Sequence, residues 1–134
     1  LLQPGLRALR EGIANLFAQT PFDAVEGAEG MLKSLEDLGG GAAGQREHAS
    51  WWLRFAVDFL RQALAPEVEV APAVERFRRA YPPDDPQAAG RIADVLDRCL
   101  QAESQLHQSM PVPLCVESLL YDVGRILRGA LVLA

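Results

Sequence analysis

The sequence predicts an all-α domain, a compact bundle of five to six helices. Apolar residues recur every three or four positions over most of the chain, which is the period of an amphipathic helix. Proline and glycine clusters divide this pattern into segments of helical length, and we find no alternation of apolar and polar residues that would indicate a strand. With 134 residues, the chain has the length of one domain with one hydrophobic core. We therefore expect residues 1–134 to form a single helical domain.

The first two predicted helices are separated by a threonine-proline pair. The first helix ends near Gln19, and Thr20 is the expected N-cap of the second, with Pro21 as its first residue. Proline suits a first turn because its missing N–H has no partner there. Glycines 39–41 are expected to end the second helix, since glycine leaves helical geometry easily. The apolar stripes are Leu6, Leu9, Ile13, Leu16 and Phe17 in the first helix, and Val25, Ala28, Leu32 and Leu35 in the second.

The segment from about Ala42 to Ala65 is the most apolar and is predicted to be the centre of the fold. Its polar residues form a narrow stripe, so that most of its circumference needs to be covered by protein. That stripe consists of Arg54, Asp58, Arg61 and Gln62. Trp51 and Trp52 point about 100° apart on a helix. Burial in a covered helix explains this pair better than a stacking platform does.

The second half of the chain predicts three more helices. After a connector over 66–72, a short helix runs through Val74, Phe77 and Tyr81. Asp85 is the expected N-cap of a longer helix that closes around His107. Its broad apolar face comprises Ile92, Val95, Leu96, Cys99, Leu100 and Leu106. The turn over 109–113 is then expected to reverse the chain, so that a last helix from about Pro113 packs back on its predecessor.

Composition and charge argue against several classes of protein. The formal net charge of −5 disfavours direct nucleic-acid binding, which depends on clustered lysine and arginine. No apolar run reaches the roughly 18 to 20 residues of a membrane span, and the first residues lack the pattern of a signal peptide. We therefore expect a cytoplasmic protein. In a reducing compartment Cys99 and Cys115, which lie in apolar helical segments, are expected to be buried thiols and not a disulfide.

No residue pattern predicts catalysis or a cofactor. The two histidines, His48 and His107, lie far apart and neither belongs to a metal-binding motif. Glycines 39–41 and Gly44 lack the lysine that a phosphate-binding loop requires. Asp84 and Asp85 are adjacent, so they face different ways and form a poor acid-base pair. We expect no catalytic residue, no cofactor and no metal, and interpret the chain as an interaction module.

Two segments resemble the clamp-loader subunits of bacterial DNA polymerase III, most closely the delta-prime type and next the gamma/tau type. Residues 114–120, Leu-Cys-Val-Glu-Ser-Leu-Leu, are similar to the final helix of that family, in which a glutamate precedes a Leu-Leu pair. Residues 50–54, Ser-Trp-Trp-Leu-Arg, are similar to the Trp-Leu-Arg of its central helix. The turn before the last helix differs: the family has Asn-x-Asn-Pro, whereas this chain has Ser109, Pro111 and Pro113.

The resemblance implies a collar domain, the helical C-terminal part of a clamp-loader subunit. Five collar domains associate in a ring, while N-terminal ATPase modules act on the sliding clamp and primed DNA. The sequence begins Leu1-Leu2-Gln3 without a methionine, and we expect an ATPase module before it. The implied partners are the gamma/tau and delta subunits, bound through their collar domains. This domain itself would support loading of the sliding clamp without being an enzyme.

Candidate interface residues follow from this implication. A collar domain covers two neighbours, and protein interfaces are built around buried aromatic and arginine anchors. Each arginine has the alternative interpretation of a solvated polar stripe. The candidates are Trp51, Trp52, Arg54, Arg61, Glu117, Arg125 and Arg128.

Two other functions stay open. A generic helical adaptor without a role in replication would bind peptides in a groove, and a repeat-type adaptor predicts self-similarity with a period near 34 to 40 residues, which we do not find. A small helical enzyme or regulator is the other alternative. In such a protein polar residues would converge inside the bundle, whereas the predicted core of this chain is almost wholly apolar.

Overall fold

The computed structural model describes residues 3–65, 69–108 and 110–132. These residues form six helices and no strand, which confirms the predicted all-α class. The helices are α1 (Pro4–Ala18), α2 (Ala24–Leu38), α3 (Gly41–Leu64), α4 (Pro72–Ala80), α5 (Pro86–His107) and α6 (Val112–Val132). None of the helices within the described residues is long and apolar enough to cross a membrane.

The start of α2 differs from the prediction. Asp23, and not Thr20, is its N-cap, and its carboxylate accepts a hydrogen bond from the Glu26 N–H at 3.0 Å. Aspartate is among the strongest N-caps. Between the two positions, the Phe22 side chain is buried and its ring centroid lies 5.7 Å from that of Phe17. Burial of Phe22 keeps Thr20 to Phe22 outside the helix, which begins three residues later than expected.

Other predicted helix ends are confirmed. Gly39 is the C-cap of α2 and has φ 73°, a left-handed value that suits glycine. The Asp85 carboxylate caps α5 by accepting from the Gln87 N–H at 3.0 Å, with Pro86 in the first turn. The last residue of α5 is His107, as predicted. The proposed connector includes residues 66–68 and the proposed turn includes residue 109, and these four lie outside the described residues.

Helix α3 lies at the centre of the fold, as predicted, and packs against α1, α2, α4 and α5. Trp52, Leu53, Ala56 and Leu60 on its inner side are all buried. At its C-terminal half an aromatic cluster joins α1, α3 and α4. Its ring centroids lie 5.3 Å apart for Phe17 and Phe59, 5.5 Å for Phe59 and Phe77, and 4.8 Å for Phe77 and Tyr81.

Helix α6 packs against both α5 and α2, so the predicted reversal of the chain is confirmed. It runs antiparallel to α2: Gly124 lies near Ala24, whereas the earlier Leu120 lies near the later Gly27. A Cβ added at Gly124 would lie 3.3 Å from the Ala24 Cβ and 3.4 Å from the Phe22 ring. Glycine at this position therefore allows the two helices to approach closely.

Candidate interaction surfaces

The predicted interface residues lie on two helices, α3 and α6. These helices make only a slight contact with each other, so the residues fall into two separate groups. Trp52 differs from the other six because it points into the core and is 3% exposed. Within the described residues, no group of three or more His, Cys, Asp and Glu side chains is placed to hold a metal ion.

The first group forms the α3 face, defined by Trp51, Arg54, Asp58 and Arg61. Trp51 is half-buried, and the other three side chains are exposed. The Arg54 guanidinium carbon lies 4.9 Å from the Trp51 ring centroid, a cation-π distance. The ring centroid of Phe55, a partly buried residue, lies 5.8 Å from that of Trp51. This face offers a partner an aromatic centre and two arginines.

The N-terminal half of α3 is tied to the end of α5. The guanidinium of Arg46 donates a hydrogen bond to the carbonyl of Leu106 at 2.5 Å. The last carbonyls of a helix have no partner within the helix, and they form the negative end of its dipole. Arg46 therefore caps α5, next to the His107 side chain, which also lines the hollow beside Trp51.

The second group belongs to the α6 face, defined by Leu114, Glu117, Tyr121, Arg125 and Arg128. At about 100° per residue these five positions lie within one narrow arc around Tyr121, and all five side chains are exposed. Leu114 is 56% exposed and Tyr121 61%. Large apolar side chains with this exposure, flanked by charges, are typical of a surface that a partner covers.

Helix α2 extends the α6 face on one side. Val25 is 71% exposed and lies beside Tyr121, since both line the same hollow between α2 and α6. The hollow has a volume of ≈ 220 Å³ and mostly apolar walls, with carboxylates supplied by Glu29 and Glu117. Together these residues form a concave, acidic region next to the tyrosine.

A buried arginine supports the α6 face from below. Arg98 is 9% exposed; its Nε donates to Asp122 Oδ2 at 2.7 Å, and its Nη2 donates to Ser118 Oγ at 3.2 Å. The other oxygen of Asp122 accepts from Arg125 Nη2 at 3.3 Å. The hydrogen bond from Arg98, with a smaller contribution from Arg125, holds the pKa of the Asp122 carboxyl below its usual value.

The prediction that Leu100 lies on the apolar face of α5 was wrong. Leu100 is 51% exposed, whereas Arg98 is buried. Leu100 lies eight residues after Ile92, and eight steps of 100° carry it about 80° away from Ile92. Arg98 is adjacent to the buried Cys99, but neighbours on a helix point about 100° apart, so the sequence carries no signal that Arg98 is buried.

Arg78 is another side chain whose contacts the sequence did not reveal. It begins the last turn of α4, and its guanidinium donates to the carbonyls of Gln62 and Ala65 at the end of α3. It also pairs with Glu75 at 3.3 Å on its own helix. Basic residues in a last turn are common, so the pattern alone does not show which helix end such a residue caps.

Both cysteines are free and buried, as predicted. The Cys115 thiol approaches the carbonyl of Ala102 with an S···O distance of 3.6 Å, where α6 crosses α5. Burial raises the pKa of Cys99 to about 12, against a smaller opposing effect of Arg98. Burial raises the pKa of Cys115 as well, so at neutral pH both thiols are neutral and act as small apolar groups.

No protein-family model, curated protein or solved structure matches this chain. The α3 face and the α6 face are the most distinctive features of its described surface. Six of the seven predicted interface residues lie at the surface on these faces, and the seventh, Trp52, lies in the core.

Proposed function

We propose that this chain is a subunit-assembly module of a bacterial DNA polymerase III clamp loader, most like the collar domain of a delta-prime subunit. The observation that carries the proposal is the pair of separate outward faces, one on α3 and one on α6. A domain inside a ring has a neighbour on each side and needs two such faces. Each face combines an aromatic residue with two arginines, the residue types that anchor interfaces.

The segment that resembles the family supports this proposal by the way it is divided between core and surface. Leu119 and Leu120 are buried, and they attach α6 to the bundle. Leu114 and Glu117, from the same segment, are exposed on the α6 face. This short segment therefore attaches the last helix to the core and also presents side chains to a partner. A helix at a subunit boundary needs both properties.

In this proposal the chain performs no chemistry. Its partners are the collar domains of gamma/tau and delta subunits, in the cytoplasm. ATP hydrolysis would belong to an N-terminal module of the same protein or to the neighbouring subunits. The acidic overall charge suits a role that leaves contact with DNA to other parts of the assembly.

A generic peptide-binding adaptor is the second candidate, and one observation favours it. A groove of ≈ 260 Å³ lies between α1 and α2, with Trp52, Leu16 and Met31 among its lining residues. Gly12 and Gly30 lie along it, and a Cβ added at either glycine would meet no atom within 4 Å. An apolar peptide side chain fits such a groove.

The test is reconstitution with purified gamma/tau and delta subunits, followed by size-exclusion chromatography with light scattering. We expect a complex that contains this chain beside both subunits. The double substitution Trp51→Ser with Arg54→Ser should remove one neighbour, and Tyr121→Ser with Arg128→Ser should remove the other. Arg7→Ser, an exposed residue on α1, is the matched control. Absence of any complex at about 10 µM of each protein, where an interface with a dissociation constant of about 1 µM is roughly three-quarters occupied, would reject the clamp-loader proposal.

A substitution in the α1–α2 groove distinguishes the adaptor function from the clamp-loader function. Gly30→Leu fills this groove without touching either face. If a peptide ligand is lost in this variant while the variants of the α3 and α6 faces bind it normally, the adaptor function is the correct one.

A further inference from the structure

We propose that the α6 face is self-complementary and binds the α6 face of a second copy of this chain, with the two α6 helices antiparallel and their two-fold axis near Tyr121. This inference needs only this chain, and a clamp-loader neighbour on the α6 face would compete with the second copy. The occupant is identified by the order of charges along the helix. A closed two-fold dimer is also the commonest symmetric assembly.

Charges on the α6 face are arranged symmetrically about Tyr121 but with opposite signs. Glu117 lies four residues before Tyr121, and Arg125 lies four residues after it. In an antiparallel pair centred on Tyr121, each Glu117 therefore lies opposite Arg125 of the second copy. The two-fold axis repeats each contact, so the dimer contains two ion pairs between Glu117 and Arg125. A parallel pair would instead place like charges opposite each other, which is unfavourable.

The centre of the face is apolar. Tyr121 is 61% exposed and Val25 is 71% exposed, and both lie close to the proposed axis. A second copy brings its own Tyr121 and Val25 to the same place. Tyrosine is enriched in interfaces because its ring buries a large area while its hydroxyl stays hydrated at the edge.

The hollow between α2 and α6 gives Arg128 of the second copy a place to bind. Glu29 and Glu117 supply carboxylates there, and the walls are mostly apolar. Arg128 lies seven residues after Tyr121, so in the antiparallel arrangement its backbone lies opposite Leu114 of the other copy. Glu117 is three residues away, roughly 4.5 Å along the helix, so the long side chain of Arg128 reaches this acidic hollow. A guanidinium with an apolar stem suits a site that combines carboxylates with aliphatic walls.

The ion pair between Arg98 and Asp122 orients Arg125, which reaches across the proposed interface. Arg98 holds Asp122, and Asp122 in turn accepts a hydrogen bond from Arg125 at 3.3 Å. Arg125 itself stays 61% exposed. A side chain that is already positioned loses less conformational entropy on binding.

The size of the face predicts a reversible dimer. Leu114 to Arg128 spans 15 residues, or roughly 22 Å at a rise of about 1.5 Å per residue. A contact between two helix faces of this length lies at the lower end of the size range for specific interfaces. We therefore expect the dimer to form at micromolar concentration and above.

Sedimentation equilibrium of the purified chain from about 5 µM to about 500 µM tests the proposal. The unmodified chain should shift from the monomer mass toward twice that mass. Glu117→Arg should stay monomeric, because its face becomes wholly basic. Arg125→Glu with Arg128→Glu should also stay monomeric, because its face becomes wholly acidic. An equimolar mixture of these two variants should form a heterodimer, since the opposite charges then meet.

The controls separate the charge effect from unfolding and from the other face. Glu11→Arg makes the same charge change at an exposed site on α1 and should dimerise normally. Circular dichroism checks that every variant is folded. Tyr121→Cys should form a disulfide-linked dimer under mild oxidation, whereas Leu100→Cys, a similarly exposed position on α5, should not.

Three results would overturn the proposal. One is a chain that stays monomeric at about 500 µM. Another is a dimer whose dissociation constant changes less than threefold in Glu117→Arg. The third is a pair of monomeric charge variants that fail to associate when mixed.

Discussion

Arg98 of α5 is joined to Asp122 of α6 by a hydrogen-bonded ion pair, with 2.7 Å between Arg98 Nε and Asp122 Oδ2. The arginine side chain is 9% exposed and the aspartate 27%. A charge this well buried depends on its partner, because an unpaired charge in a protein interior is strongly unfavourable. This pair therefore fixes where the last two helices meet.

Removal of Asp122 should destabilise the protein. We expect Asp122→Asn to lower the free energy of unfolding by about 2 kcal/mol at pH 7, the range of hydrogen bonds to charged groups. Urea denaturation measures this change. Asp94→Asn, at an exposed position on α5, is the matched control and should change it by less than about 0.5 kcal/mol. Equal losses in the two variants would show that the ion pair contributes little.

The same pair predicts a pH dependence. Since the pKa of Asp122 is lower in the folded protein than in the unfolded chain, its contribution is complete above the unfolded value of about 4. The contribution is lost as the pH falls through the folded pKa. The difference in unfolding free energy between the unmodified protein and Asp122→Asn should therefore shrink below about pH 4. A constant difference from pH 7 to pH 2.5 would contradict this assignment.

Arg78 should stabilise the end of α3. We expect Arg78→Ala to lower the free energy of unfolding by about 2 kcal/mol, because the Gln62 and Ala65 carbonyls lose a charged donor. Amide hydrogen exchange should become faster in the last turn of α3 first. Arg79→Ala, the exposed neighbour on α4, should leave that exchange unchanged. Unchanged exchange in Arg78→Ala as well would mean that the cap is dispensable.

The two neighbouring tryptophans should differ in their effect on stability. Trp52 is 3% exposed, and its replacement by alanine should cost about 3 to 5 kcal/mol through lost burial and a cavity. Trp51 is half-buried, and its replacement should cost about 1 kcal/mol, mainly through the contacts with Arg54 and Phe55. Thermal and urea unfolding of both variants provide the comparison. A loss below about 1 kcal/mol for Trp52→Ala would place its side chain outside the core.

The cysteines should react only when the protein opens. With its pKa raised to about 12, Cys99 has almost no thiolate in the folded state at pH 8, and it is 1% exposed. Labelling by a thiol reagent at pH 8 should thus be far slower in buffer than in about 6 M urea, which unfolds typical small domains. Tyr121→Cys provides a rapidly reacting exposed thiol as a positive control. Labelling of the native chain as fast as that control would contradict the burial.

Local signals predicted most of the helices well. The cap at Asp85, the glycines that follow α2 and the end of α5 at His107 all depend on residues within one or two turns of each other. Local hydrogen bonding and backbone preference decide such features, and both can be identified in a sequence. The prediction of Thr20 as the N-cap was wrong because the burial of Phe22, a tertiary effect, moved the N-cap of α2 to Asp23.

Of the candidate interface, the sequence predicted the residue types but not their arrangement. Trp51 and Trp52 are equivalent in composition, and only the packing of α3 decides that Trp52 is in the core. Glu117 was predicted as an interface residue from the family resemblance, and Arg125 and Arg128 were predicted from their position near the end of the last helix. Helical periodicity places these three on one arc with Tyr121, whereas the position of Val25 beside Tyr121 depends on how α6 packs on α2.

The sequence by itself determined the all-α class, the centre of the fold and the buried thiols, because the helical spacing of apolar residues indicates which side of each helix is buried. Only the tertiary structure decided that Arg98 meets Asp122, that Arg46 and Arg78 cap helices far away in the chain, and that Gly124 lets α6 approach α2. These contacts depend on which faces meet and at what register. That choice results from packing over the whole core, and no stretch of a few residues contains it.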